Sequence, residues 1–288
     1  MDAIRSYFTG HYTRHPAVVS AVMVNPGESN NQWIDGFDIL MLVITELKQP
    51  TNHTSHYSKD NYRIQERWIH KDGLESWVLN GENRNIIQWI LQGELIVDQN
   101  GYLGSMRQAL SSFPMELREK KMLIEFTHFL RRYMQSKEYL ANGEVFDAYS
   151  NILEALHHWA RIVIIQNGAH PEVTVWNQVH QINPGVYKLY EELLFSAETL
   201  EQRVKLVQLA AEFSVLTKMR ECCAFLLRVI SSRQEPWSAS ELKEHVELGE
   251  LHIDLSLVLR KLTKRSVIKE VMESTDGDLS IMEVKYTL

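Results

Sequence analysis

The chain has 288 residues, 44% of them hydrophobic and 23% charged, with a formal net charge of −7. That length exceeds one ordinary domain and implies two or three. The charge balance excludes a global electrostatic pull toward nucleic acid or an anionic membrane, while a local basic patch stays open.

The opening residues, MDAIRSYFTGHYTRHP, hold no apolar signal core, and no stretch is long enough to span a bilayer. A cytoplasmic protein is expected. Ala17 to Val24 is dense in β-branched residues and ends at Asn25-Pro26-Gly27, a turn signal, so it reads as a strand. Phe37 to Thr45 reads as a second strand, apolar on both faces. Tyr62 to Ile69 alternates and reads as a third with one wetter side, placing Ile64, Glu66 and Trp68 together. Leu74–Leu79 and Asn85–Leu91 read as helices, and 93–101 as a short strand ending in a turn. From about 116 the strand signals stop. Glu116–Tyr139, Glu144–Gln166, Pro184–Phe195 and Thr199–Ile230 read as helices, and Asn167-Gly168 as a helix stop. Ala148, Ile152, Ala155, Leu156, Trp159 and Val163 form an apolar stripe on the second of these. Cys222 and Cys223 sit side by side on the last, a poor disulfide geometry, and read as small core residues in a reducing setting. Ser238-Ala-Ser-Glu241 matches a capping box and opens a helix after a polar hinge. Leu255–Lys264 reads as a second helix, and Val267–Met272 with Leu279–Tyr286 as a β-hairpin. Helix, helix and hairpin is the order of a winged helix-turn-helix.

The segment 24–40 carries a resemblance. Val24-Asn25-Pro26-Gly27-Glu28-Ser29, followed by Asp35-Gly36-Phe37-Asp38-Ile39-Leu40, resembles the Gly-Ser turn and the acidic strand of polymerase-beta-type nucleotidyltransferases. Residues 62–77 and 93–103 resemble the next elements of the kanamycin nucleotidyltransferase family. The whole is similar to bacterial nucleotidyltransferase-like proteins with a C-terminal helix-turn-helix. The resemblance implies an α/β domain with a mixed sheet and flanking helices at 1–115, an all-α bundle that binds substrate at 116–230, and a winged helix at 232–288.

It also implies a chemistry. Nucleotidyl transfer uses two Mg²⁺ ions held by carboxylates, and acids at i and i+2 on a strand share a face. Here those positions hold Gly36 and Asp38. Asp35 lies one residue early and would need a bulge at Gly36 to join Asp38. The third acid's position falls on Gln65, with Glu66 next to it. Asp38, Asp35 and Glu66 are therefore the candidate Mg²⁺ ligands, and Asp38 and Asp35 the candidate catalytic acids. The bland alternative makes Asp38 a cap on nearby backbone N–H groups, and Asp35 and Glu66 solvated edge acids. Gly27 and Ser29 are the candidate nucleotide-binding turn, although Pro26 removes an N–H that would help hold phosphate. In the bundle, His158 and Arg161 at i and i+3 are candidates for a substrate cleft, and Glu125 is nearest to the family's general-base glutamate. Arg260, Lys261, Lys264 and Arg265 are candidate DNA-binding residues along and just after the second helix of the winged helix. Against them, residues 232–288 hold eight Lys and Arg and eleven Asp and Glu, a net of −3. Three readings stand: transfer of a nucleoside monophosphate from an NTP to a small-molecule or protein acceptor, an inactive nucleotide- or metabolite-binding protein whose winged helix reports to DNA or a protein, or a purely structural interaction protein.

Overall fold

The computed structural model describes residues 1–25, 34–47, 53–274 and 282–288. The chain divides into two compact units, Met1–Pro114 and Met115–Leu288.

The first unit opens with helix α1 (Asp2–Thr13) and the strands β1 (Val18–Val24), β2 (Ile39–Thr45), β3 (Thr54–Lys59) and β4 (Tyr62–His70). Helices α2 (Lys71–Asn80) and α3 (Ile86–Gln92), strand β5 (Glu94–Asp98) and helix α4 (Tyr102–Ser112) complete it. The sheet order is β3-β4-β2-β1-β5. Strands β2 and β4 run parallel, and the other neighbours are antiparallel. The central strands β1 and β2 are buried along their whole length, which is why apolar side chains dominate both. One face carries Ala21, Met23, Ile39, Met41, Val43 and Ile64 and packs under Ile4, Phe8 and Tyr12 of α1. The opposite face carries α3. Gly93, just after α3, passes so close to it that a Cβ there would lie 2.2 Å from Val22 Cγ1 and 2.5 Å from the Trp89 carbonyl.

In the second unit α5 (Met115–Ala141) and α6 (Val145–Gln166) form the core pair. The expected stripe of α6 is buried, from Ala148 to Val163, and the helix stops at Gly168, whose φ is +80°. Then come α7 (Val175–Ile182), α8 (Pro184–Phe195), α9 (Leu200–Ser214), α10 (Met219–Cys222) and α11 (Ala224–Ile230). The buried Ser136 hydroxyl donates to the Ala148 carbonyl at 2.8 Å and accepts from Gln208 at 2.9 Å, tying α5, α6 and α9 together. The single helix expected over 199–230 is broken twice between Ser214 and Ala224. Cys222 and Cys223 lie at the second break, free and buried, with burial raising both thiol pKa values, that of Cys222 to about 12.

The C-terminal part holds β6 (Trp237–Ser238), α12 (Ala239–Glu244), α13 (Val246–Gly249), α14 (Leu255–Lys264), β7 (Lys269–Ser274) and β8 (Met282–Thr287), with sheet order β6-β8-β7. The capping box at Ser238 and Glu241 is formed. Among the described residues no helix is long and apolar enough to cross a membrane.

Candidate functional site

Alternation along β4 decides what each side chain can reach. Ile64, Glu66 and Trp68 share the α1 face, as the sequence implies, whereas Gln65 and Arg67 point to the other. By the same alternation Asp38, just before β2, falls on the Gln65 face. Its amide donates to the Arg63 carbonyl at 2.9 Å, and its Oδ2 accepts the Arg63 amide at 2.7 Å. Asp35 and Gly36 lie outside the strand, in a turn with φ of +53° and +80°. No bulge re-aims Asp35. The left-handed turn swings its carboxylate to Arg67, with which it forms an ion pair.

Arg67 therefore organises this face. Its Nε donates to Gln65 Oε1 at 2.7 Å, its terminal nitrogen pairs with Asp35, and the guanidinium lies 5.5 Å from the centre of the Trp89 ring. A fixed positive charge stands where the resemblance places metal ligands.

Glu66 is the clear correction. It is neither solvated nor near Asp38, because β4 sends it to the α1 face, where it is 4% exposed. Its carboxylate accepts from Tyr12 Oη at 2.7 Å, Trp68 Nε1 at 2.8 Å and Tyr57 Oη at 3.3 Å. On the other side of β4 exposure varies along the strand, with Arg63 exposed, Gln65 buried and Arg67 half-buried.

These residues do not fit a two-Mg²⁺ group. Mg²⁺ demands hard oxygen ligands in near-octahedral geometry. The face offers one carboxylate partly engaged by a backbone N–H, a second neutralised by a guanidinium, and an amide at the third position. Among the described residues no group of three or more His, Cys, Asp and Glu side chains is placed to hold a metal. Gly27 and Ser29 lie outside the described residues.

In the second unit the sequence candidates do converge. His158 Nδ1 lies 2.6 Å from Glu125 Oε2, and Arg161 Nη1 3.6 Å from the same oxygen. Glu125 and His158 are largely covered, with side-chain exposures of 16% and 18%. His128 stacks on His158 at 5.2 Å. Burial pushes the Glu125 pKa up, but the His158 hydrogen bond and the Arg161 charge outweigh it and leave the carboxyl below its ordinary range. Burial lowers that of His128, with His158 adding to the shift. One turn before Glu125, burial lowers the buried Lys121 to about 8, against an upward pull from Glu125. Sequence spacing alone does not single out Lys121 or His128, although both lie at i±3 or i±4 from Glu125. His157 turns the other way, against Trp176 and Tyr190.

The basic residues of α14 and its C-cap Arg265 split into two sets. Arg260 and Lys264 are exposed one turn apart. Arg265 approaches Glu212 of α9 at 3.5 Å, and Lys261 is partly buried near Lys137 and Glu212, burial and the Arg265 charge lowering its pKa. The N-cap of α14, Asp254, is held by Arg131 of α5 at 2.9 Å.

Comparison with known proteins matches this architecture piece by piece. Residues 1–118 match a family described as nucleotidyltransferase-like, 119–218 a YgxA-like substrate binding domain, and 224–288 a helix-turn-helix domain. The chain is 34% identical over 263 residues to the protein named Uncharacterized protein YgxA of Bacillus subtilis (strain 168), covering 91% of this chain and 89% of that one. It superposes on the crystal structure of a nucleotidyltransferase-like protein from Exiguobacterium sibiricum 255-15 with a TM-score of 0.86 and 32% identity, covering 99% and 97% of the two chains. With that extent of match to YgxA and with all three parts accounted for, the chain belongs to the YgxA family of nucleotidyltransferase-like proteins.

Proposed function

We propose that this protein binds a nucleotide or a related phosphorylated metabolite without metal-dependent nucleotidyl transfer. One observation carries the reading: Arg67 occupies the sheet face of Asp38 and is held there by Gln65, Asp35 and Trp89. A guanidinium offers five N–H donors in a rigid fork, and the two bonded partners leave some of them for a phosphate. A resident cation takes the electrostatic place of a metal but cannot activate an attacking oxygen as a metal does. The exposed Arg260 and Lys264 make nucleic acid or an acidic protein surface the natural partner of the helix-turn-helix part.

A second reading keeps transferase activity and has its own observation. Glu125, gripped by His158 and Arg161, lies in the part of the chain that matches a substrate binding domain, which supports a role as general base or acceptor-binding group. Calorimetric titration with ATP, GTP, CTP and UTP, each in Mg²⁺ and in EDTA, separates the two. The first reading expects binding that survives EDTA and weakens at least tenfold in Arg67→Ala. Binding that needs Mg²⁺ and Asp38 supports the second.

A further inference from the structure

The α1 face of the first unit holds a cleft of about 410 Å³ that the proposed nucleotide site does not use. His11, His15, His53, Tyr57, Glu66 and Trp68 line it. Its floor is the Glu66 carboxylate, whose three partners, Tyr12, Tyr57 and Trp68, are all neutral donors. They engage both of its oxygens and bring no positive charge. Among the described residues no lysine or arginine forms an ion pair with Glu66. Burying a carboxylate without a cationic partner is costly, and a position on the core face of β4 would ordinarily hold an aliphatic side chain. Three elements, α1, β3 and β4, instead each supply a donor for it.

The rings of Tyr57 and Trp68 both line the cleft and both donate their polar hydrogen to this one carboxylate. Donation to an anion pushes electron density into each ring and strengthens the negative face that attracts cations. The His15 ring stands 5.1 Å from that of Trp68 and extends the aromatic wall. A metal ion does not suit the cleft, since its histidines and Glu66 are not grouped as a ligand set. An anion would meet the buried carboxylate. We propose that this cleft is a binding site for a small alkylated ammonium cation, taken up by the Trp68 and Tyr57 rings over the charge of Glu66.

The test follows the Trp68 indole N–H resonance, assigned by Trp68→Phe, while the full chain is titrated with tetramethylammonium chloride, with sodium chloride as the ionic-strength control and sodium sulfate as the anion control. The proposal expects a saturable shift with tetramethylammonium alone. It expects the affinity to fall at least tenfold in Glu66→Gln, which keeps the size and an acceptor oxygen but removes the charge. Tyr57→Phe, on an exposed strand, should weaken binding severalfold and serves as the deciding variant if Glu66→Gln does not fold. A linear response to tetramethylammonium, a saturable response to sulfate, or a charge-removed variant that titrates like the parent would overturn the proposal.

Discussion

Lys121 gives the clearest pH signature of any single residue. Its folded pKa of about 8 lies below the ordinary 10.5 because the side chain is buried. Between those values the unfolded chain binds a proton that the folded chain has released, so stability rises with pH across that window. The folded state meets the full penalty below about pH 8 and none above the unfolded value. The gain is on the order of 3 kcal/mol from one end to the other. Lys121→Met should lose this slope, so denaturant unfolding at pH 7.5 and pH 10 should show the variant's advantage shrinking as pH rises. Equal slopes in the two proteins would show that Lys121 does not carry this pH dependence. At this scale the sequence reveals residue types more readily than partners. Asp38 is legible both as a conspicuous acid and as a backbone cap. The Glu66 network is not, because Tyr12 lies 54 positions away on a helix that carries no apolar run. Arg67 is inconspicuous because its meaning depends on Asp35, 32 positions away and placed by a left-handed turn.

Elements with strong periodicity are the most readable. The cores of β1 and β2, helices α5 and α6, and the bounds of α14 follow from apolar runs or stripes. Helix α1 and strand β3 do not show themselves. Strand β3 is a polar edge strand, where pairing needs no apolar face. A signal is present in the loop after it. Lys59 pairs with Tyr62, and the two intervening residues, Asp60 and Asn61, both have positive φ, which Asp and Asn tolerate in a tight hairpin. The break after α9 is hidden because apolar spacing continues through a 3₁₀ turn at 216–218. Capping boxes are better guides. Ser238 and Thr199 each exchange hydrogen bonds with the residue three positions on. Ser238→Ala and Thr199→Ala should each cost about 1 kcal/mol. Thermal unfolding checks this, and unchanged midpoints in both variants would show that the caps are not needed.

On the scale of the molecule, the family's three parts are legible from the order of textures, strands and helices first, then helices alone, then helices with a hairpin. The state of the chemistry is less so, since the face a strand residue takes depends on where the strand starts. Within the second unit, the helix-turn-helix part is tied to the bundle by Lys120 with Glu247 at 2.8 Å, by Arg131 with Asp254, and by Arg265 with Glu212. The last of these ion pairs draws basic charge of α14 toward the bundle. Glu212→Gln should therefore raise affinity for duplex DNA severalfold at low salt, and Arg260→Ala with Lys264→Ala should lower it, as measured by fluorescence anisotropy. The salt slope should fall by about one for each phosphate-pairing cation removed. Affinity indifferent to all three changes would mean that α14 does not face nucleic acid.

The most direct test of the central claim is calorimetric titration with the four nucleoside triphosphates, in Mg²⁺ and again in EDTA, on the parent chain, Arg67→Ala and Asp38→Ala. A nucleotide is expected to bind with similar affinity in both buffers, to lose at least tenfold in Arg67→Ala, and to be little changed in Asp38→Ala. Binding that appears only with Mg²⁺, disappears in Asp38→Ala and survives Arg67→Ala would contradict it, and would restore a metal site to the face that Arg67 now holds.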